Sequence, residues 1–188
     1  MVDAFLRKHG IWRVGSTRDL VSATELYLRA GAPDGDGIAI VSNSGAVCVL
    51  TADAADDHGL TLAELSPATR EALDAALPAF AATENPIDVT AALLTDSSLF
   101  GKVLPVLGAD SAVRACVIGI PVAGRGYDVD RFADDIEGFE RSSGMPVVMV
   151  VPQHDIAEVF RRRGLVVFAD EATAVGALAQ FVHHHRLM

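Results

Sequence analysis

Short apolar runs rich in β-branched residues return along this chain at regular intervals, separated by longer stretches with helical period. That alternation encodes a parallel sheet with crossover helices, because parallel strands are buried on both faces and each needs a connection long enough to return. Residues 37–42, Gly-Ile-Ala-Ile-Val-Ser, read as a central strand, and further strands are expected at 60–65, 113–120, 146–151 and 165–168. Helices are expected at 44–58, at 96–107, at 128–142, at 153–163, at 171–184, and from Ser66-Pro67 to just before Pro78. Gly59 suits the residue after a helix end. The expected fold is α/β, a three-layer, five-stranded parallel sheet of flavodoxin-like order 2-1-3-4-5.

Residues 1–36 stand outside this alternation. Ile11 to Val14 is a brief extended piece, Ser16 to Ala30 a capped amphipathic helix, and residues 31–37 a glycine-rich linker. The reading is an N-terminal helical extension, 1–36, packed on the sheet, followed by one flavodoxin-like domain, 37–188.

With 51% apolar residues in 188, one core can close without disulfides. No apolar run approaches the length that crosses a bilayer, and the N-terminus lacks a signal-peptide pattern, so a cytoplasmic protein is expected. A formal charge of -10 argues against nucleic acid, whose phosphates demand a basic surface. Arg161-Arg162-Arg163 reads as the solvated end of a helix. Cys48 and Cys116 lie inside apolar runs without metal-ligand spacing, so they read as buried thiols, and no metal site is expected. Three adjacent histidines cannot share one helix face, so His183-His184-His185 reads as a frayed terminus.

In an open parallel sheet, ligands bind outside the carboxyl ends of the strands where strand order reverses. The first strand ends there in Ser42, Asn43, Ser44, Gly45 and Ala46, small polar residues running straight into a helix. Free amides of Ser44 to Val47 and the positive helix end make this a candidate anion site. The alternative is that Ser44 caps the helix and Gly45 permits a tight turn. No P-loop lysine, GxGxxG or GxSxG is present, and the strand ends lack the acids of a phosphoacceptor domain. A flavin could use the same loop with Tyr127 stacked on its ring, which leaves a flavodoxin-like cofactor binder as a second alternative.

Four segments resemble, in order, stretches of the NDP-forming acyl-CoA synthetases, relatives of the succinyl-CoA synthetases. They are Phe5 to Val14, Ile38 to Asp53, Leu62 to Arg70, and Asn85-Pro86-Ile87-Asp88-Val89-Thr90, similar to the family's "NPvDlTg". The match falls on the last, flavodoxin-like subdomain of the synthetase α part. The resemblance implies a reaction in which acyl-CoA, NDP and phosphate become acid, CoA and NTP through a phosphohistidine. It also implies that the helix starting at Ser44 docks that phosphohistidine, with Asn85, Pro86, Asp88 and Thr90 as the adjacent motif loop. Asp88 is expected to fix its own turn, since a carboxylate facing phosphate would oppose binding.

The departures bear on activity. The family's phosphohistidine lies in a "SHTG" segment ahead of the lead-in, and neither it nor the CoA-binding and ATP-grasp units occur in this stretch. The isolated chain is therefore expected to be inactive, with no catalytic residue and no cofactor of its own. CoA, ATP or GTP, and Mg would come with CoA-binding and ATP-grasp partners. The reading admits a homodimer, and its functional alternative is a non-catalytic binding or assembly module. Ser44-Gly45 replaces the family's Gly-Gly, and Ala91 replaces its glycine, which is expected to weaken that turn.

Overall fold

The computed structural model describes residues 2–188. Five strands form one parallel path: β2 (Thr61–Leu62), β1 (Gly37–Ser42), β4 (Ala115–Gly119), β5 (Val147–Val150) and β6 (Val166–Phe168). Setting aside the short β3 (Ile87–Asp88), this is the expected 2-1-3-4-5 order. Alternation within each strand builds two cores. Ala39, Val41, Cys116, Ile118 and Met149 face one layer of helices, whereas Ile38, Ile40, Val117, Val148 and Val150 face the other. The first layer holds α4 (Pro67–Ala76), α5 (Leu99–Gly108), α6 (Val129–Ser143) and α7 (His154–Arg162), and the second holds α3 (Gly45–Asp57) and α8 (Glu171–His185).

Local chemistry sets the helix ends. Ser66 accepts from the Thr69 amide at 3.2 Å with Pro67 at the first helical position, and Asp170 accepts from the Thr173 amide at 2.8 Å. Helix α5 starts at Leu99 rather than 96, because Asp96 Oδ1 accepts from both the amide and hydroxyl of Ser98 and spends those residues on a turn.

The structure adds three elements to those expected. Residues Val2–Lys8 form a helix, α1, none of whose residues is buried, so it left no core-facing period to read. The motif loop contributes β3 (Ile87–Asp88), which pairs parallel with the carboxyl end of β1, Val41 to Ile87 and Ser42 to Asp88. A 3-10 turn, Thr90–Leu94, follows it.

The edge of β1 opposite β4 is therefore composite: β2 covers its start and β3 its end. Between them Asn85 does the work of a strand. Its Nδ2 donates to Ile38 O at 2.8 Å and Ala63 O at 3.1 Å, while its Oδ1 accepts from the Ile40 amide at 2.9 Å. The Asn85-Pro86 peptide is cis.

The N-terminal segment rests mainly on α8 rather than on the strands. Helix α2 (Thr17–Arg29) buries Ala23 and Leu26, and Tyr27 packs edge-on against Phe181 with centroids 5.0 Å apart. The histidine triplet completes the joint and is not frayed. His184 bridges the Tyr27 hydroxyl and Gly10 O, each at 2.8 Å, and His183 lies near Trp12, their ring centroids 6.0 Å apart.

Candidate functional site

The site is built where β1 hands over to α3. Ser42 is fully buried, and its Oγ accepts from the Ser44 amide at 3.2 Å. Ser44 holds the N-cap position through its carbonyl, which accepts from the Cys48 amide at 3.0 Å, but its hydroxyl makes no cap bond. The amides of Gly45, Ala46 and Val47 consequently have no backbone or side-chain acceptor. Sequence reasoning counted the Ser44 amide with them and missed that Ser42 takes it.

Close packing drives α3 this near the sheet edge. A Cβ on Gly119, at the end of β4, would stand 2.6 Å from Val47 Cγ1 and 2.9 Å from Ser42 Oγ, so only glycine admits the first turn here. Asn43 spans the crevice between β1 and β4: Nδ2 donates to Val122 O at 2.8 Å, and Oδ1 is buried without a partner. An unpaired buried acceptor costs about 1–3 kcal/mol, which makes this oxygen a natural receiver of an incoming N–H.

Strand β3 brings Asp88 beside Ser42. Its Oδ1 accepts from the Thr90 amide at 2.8 Å, the turn-fixing bond expected. Its Oδ2 faces the helix start, 3.0 Å from where a Cβ on Gly45 would lie. Thr90 has a left-handed φ of 59° and its Oγ1 accepts from the Ala92 amide at 3.3 Å. Because the left-handed residue is Thr90, the missing family glycine at Ala91 removes no positive-φ position.

Of the residues singled out from the sequence, Ser42, Asn43, Ser44, Gly45, Ala46, Asp88 and Thr90 gather at this carboxyl edge. Asn85 and Pro86 stand further back, with Asn85 spent on the strand edge. Gly119 and Val122 went unnoticed in the sequence because nothing in an apolar run signals a close approach from a helix distant in sequence.

The remaining chemistry is quiet. Burial and the nearby Asp88 charge push the Cys48 thiol up to about 12, and burial alone does the same for Cys116, so neither is a thiolate nucleophile at neutral pH. Tyr127 packs edge-on against Phe132 at 6.3 Å and is used by the core. Among the described residues no cluster of three His, Cys, Asp or Glu is arranged to hold a metal ion, and no helix is long and apolar enough to cross a membrane.

Comparison with known proteins bears directly on this segment. Residues 38–122, which run from β1 through the motif loop to Val122, match the Ligase-CoA domain family. A trans-feruloyl-CoA synthase of an unknown prokaryotic organism is 35% identical over 115 residues, 61% of this chain and 16% of that protein. The α subunit of an ADP-forming acetate–CoA ligase II from Pyrococcus furiosus is 35% identical over 89 residues, 47% of this chain and 19% of the subunit. The chain thus spans under a fifth of the length of these two relatives. Two solved structures share the fold over 99% of the chain. One is a Pyrococcus horikoshii OT3 protein, with TM-score 0.88, 23% identity and 44% of its own length covered. The other is a dinucleotide-forming acetyl-coenzyme A synthetase 1 from Ca. Korarchaeum cryptofilum, with TM-score 0.86, 18% identity and 41% covered. Residues 38–122, which include the β1–α3 junction, are thus similar to the Ligase-CoA domain, and stretches of the chain are similar to ADP-forming acetate–CoA ligases.

Proposed function

We propose that the chain is one domain or small subunit of an NDP-forming acyl-CoA synthetase and that the start of α3 receives the phosphohistidine of a partner unit. The observation that carries this reading is the set of three free amides, Gly45 to Val47, at the head of a 13-residue helix inside the segment matching the Ligase-CoA domain. Such a helix end stabilises a phosphate by about 0.3–1 kcal/mol when exposed and about 2 kcal/mol when partly buried, enough for docking and too little for catalysis. CoA, the nucleotide and its Mg would be held by the CoA-binding and ATP-grasp partners that the family resemblance implies. The isolated chain then catalyses nothing.

Asp88 gives the site its selectivity. Its free oxygen beside Gly45 repels a bare phosphate dianion. A phosphorylated imidazole differs, because its second ring nitrogen, once protonated, can donate to Asp88 or to the unpaired Asn43 Oδ1 while the phosphoryl group takes the amides.

The test is a titration of the full chain, followed by amide chemical shifts, with inorganic phosphate and with a phosphohistidine peptide. The peptide is expected to shift Gly45, Ala46 and Val47, and phosphate to shift them about tenfold more weakly. Gly45→Val, whose side chain crowds Asp88 Oδ2, is expected to abolish the response, and Asp88→Asn to improve phosphate binding without improving peptide binding. Shifts confined to His183 to His185 would leave α3 with an ordinary cap and sink the proposal.

A further inference from the structure

We propose that the cleft between the N-terminal extension and α8 binds a nucleoside monophosphate, its base against Trp12 and its phosphate on Arg18. This site is separate from the one above. It uses the opposite end of α3, about 20 Å away at 1.5 Å per residue over the 13-residue helix, so either can fail alone.

The cleft measures about 440 Å³, inside the roughly 300–1,000 Å³ typical of small-molecule sites. It is lined by Trp12, Arg13 and Arg18 of the N-terminal segment, by His58 at the end of α3 and by His183 of α8. Small side chains on α8 make the space, with Ala172, Gly176 and Ala179 on one helical face.

Arg18 is the telling residue. It occupies the first turn of α2, where the helix dipole disfavours a cation, and among the described residues it has no carboxylate within 4.0 Å and no hydrogen bond. A charge placed against local preference without compensation marks a binding position more readily than a structural one. Arg13 differs, being held by Asp3 at 2.8 Å. Trp12 is partly buried beside His183, the two rings tilted by 39°, so a planar base can extend an aromatic surface that already exists. Asp19 stands at the same rim and repels a bare anion. Affinity therefore requires ring and phosphate together, which is why the occupant carries both.

Trp12 is the chain's sole tryptophan, so its emission reports the site directly. The full chain is titrated with AMP, with adenosine and inorganic phosphate as controls. AMP is expected to change the emission saturably, each control to bind at least tenfold more weakly, and Arg18→Ala to weaken AMP at least tenfold while keeping the thermal midpoint. Gly176→Leu, which fills the cleft, is expected to remove the response. The proposal is overturned if millimolar AMP produces no saturable change, if Arg18→Ala binds equally well, or if phosphate alone binds as tightly as AMP.

Discussion

Asn85 and Glu140 are both partly buried polar side chains, and the molecule treats them in opposite ways. Asn85 has its amide bonded on both ends, three bonds to three backbone groups of β1 and the β2 end. Glu140, on α6 beneath the linker, has an Oε1 shut away from solvent with no partner. Burial pushes its carboxyl up to about 7, the Arg29 charge pulling it down and Glu137 adding to the rise. The contrast teaches that burial alone says nothing about what a polar residue contributes. A satisfied one specifies the fold, because the Ile40 amide and Ala63 O would otherwise be orphaned, while an unsatisfied one is a site of tension that a proton or partner relieves.

The largest effect is expected at Asn85. Asn85→Leu keeps similar bulk but strips the partners of Ala63 O and the Ile40 amide, at about 1–3 kcal/mol for each group left unsatisfied, while Ile38 O keeps the Ala63 amide at 2.9 Å. A loss of about 3 kcal/mol or more is expected in urea unfolding, and hydrogen exchange at Ile40 should quicken by orders of magnitude relative to the β4-facing amides of β1. If Ile40 stays protected, the composite edge is held by β2 and β3 alone, and the contrast with Glu140 collapses.

That edge also marks where the sequence was legible. The β1–β4–β5–β6 ladder could be read because each strand carries an apolar run buried on both faces, as at Val147 to Val150. The other side of β1 could not, since a two-residue strand inside Asn-Pro-Ile-Asp has turn chemistry and no period. The gathering of Ser42 to Ala46 was visible because a strand ending in small polar residues before a helix has few arrangements. The aim of Asp88 Oδ2 at Gly45 was hidden, depending as it does on the register of β3 with β1. The histidine triplet misled for a related reason. Three histidines at a helix end give no hint that Gly10, Trp12 and Tyr27, distant in sequence, wait beside them.

A middle-sized effect of opposite sign is expected at Glu140. The folded state holds this proton more tightly than the unfolded chain, whose carboxyl titrates near 4.5, so stability falls as pH rises from there to about 7 and is level above. Solvent screening of a partly exposed group reduces the effect to about 1 kcal/mol. Glu140→Gln should therefore unfold at higher urea than the parent at pH 8 and at nearly the same urea at pH 5. An unchanged pH profile would mean that Arg29 neutralises the carboxylate fully and that Glu140 is as satisfied as Asn85.

The smallest effect on stability, and the sharpest for function, is expected at Asn43, which combines both cases in one side chain. Its Nδ2 is bonded to Val122 O, while its Oδ1 is buried and unpaired. Asn43→Ala loses a bond of about 1 kcal/mol, and Val122 is exposed enough for its carbonyl to turn to water. The same change removes an orphan acceptor that costs about as much, so the two terms nearly cancel and stability should move by under about 1 kcal/mol. Binding does not share this cancellation. If Oδ1 is kept unpaired for the protonated second ring nitrogen of an incoming phosphohistidine, its removal should weaken the peptide about tenfold while leaving free phosphate, which has no ring nitrogen, unaffected. Urea unfolding and peptide titration on the same variant separate the two. A loss of stability comparable to Asn85→Leu would mean that the oxygen is already partnered, which makes Asn43 a second strand-edge latch and removes it from the docking site.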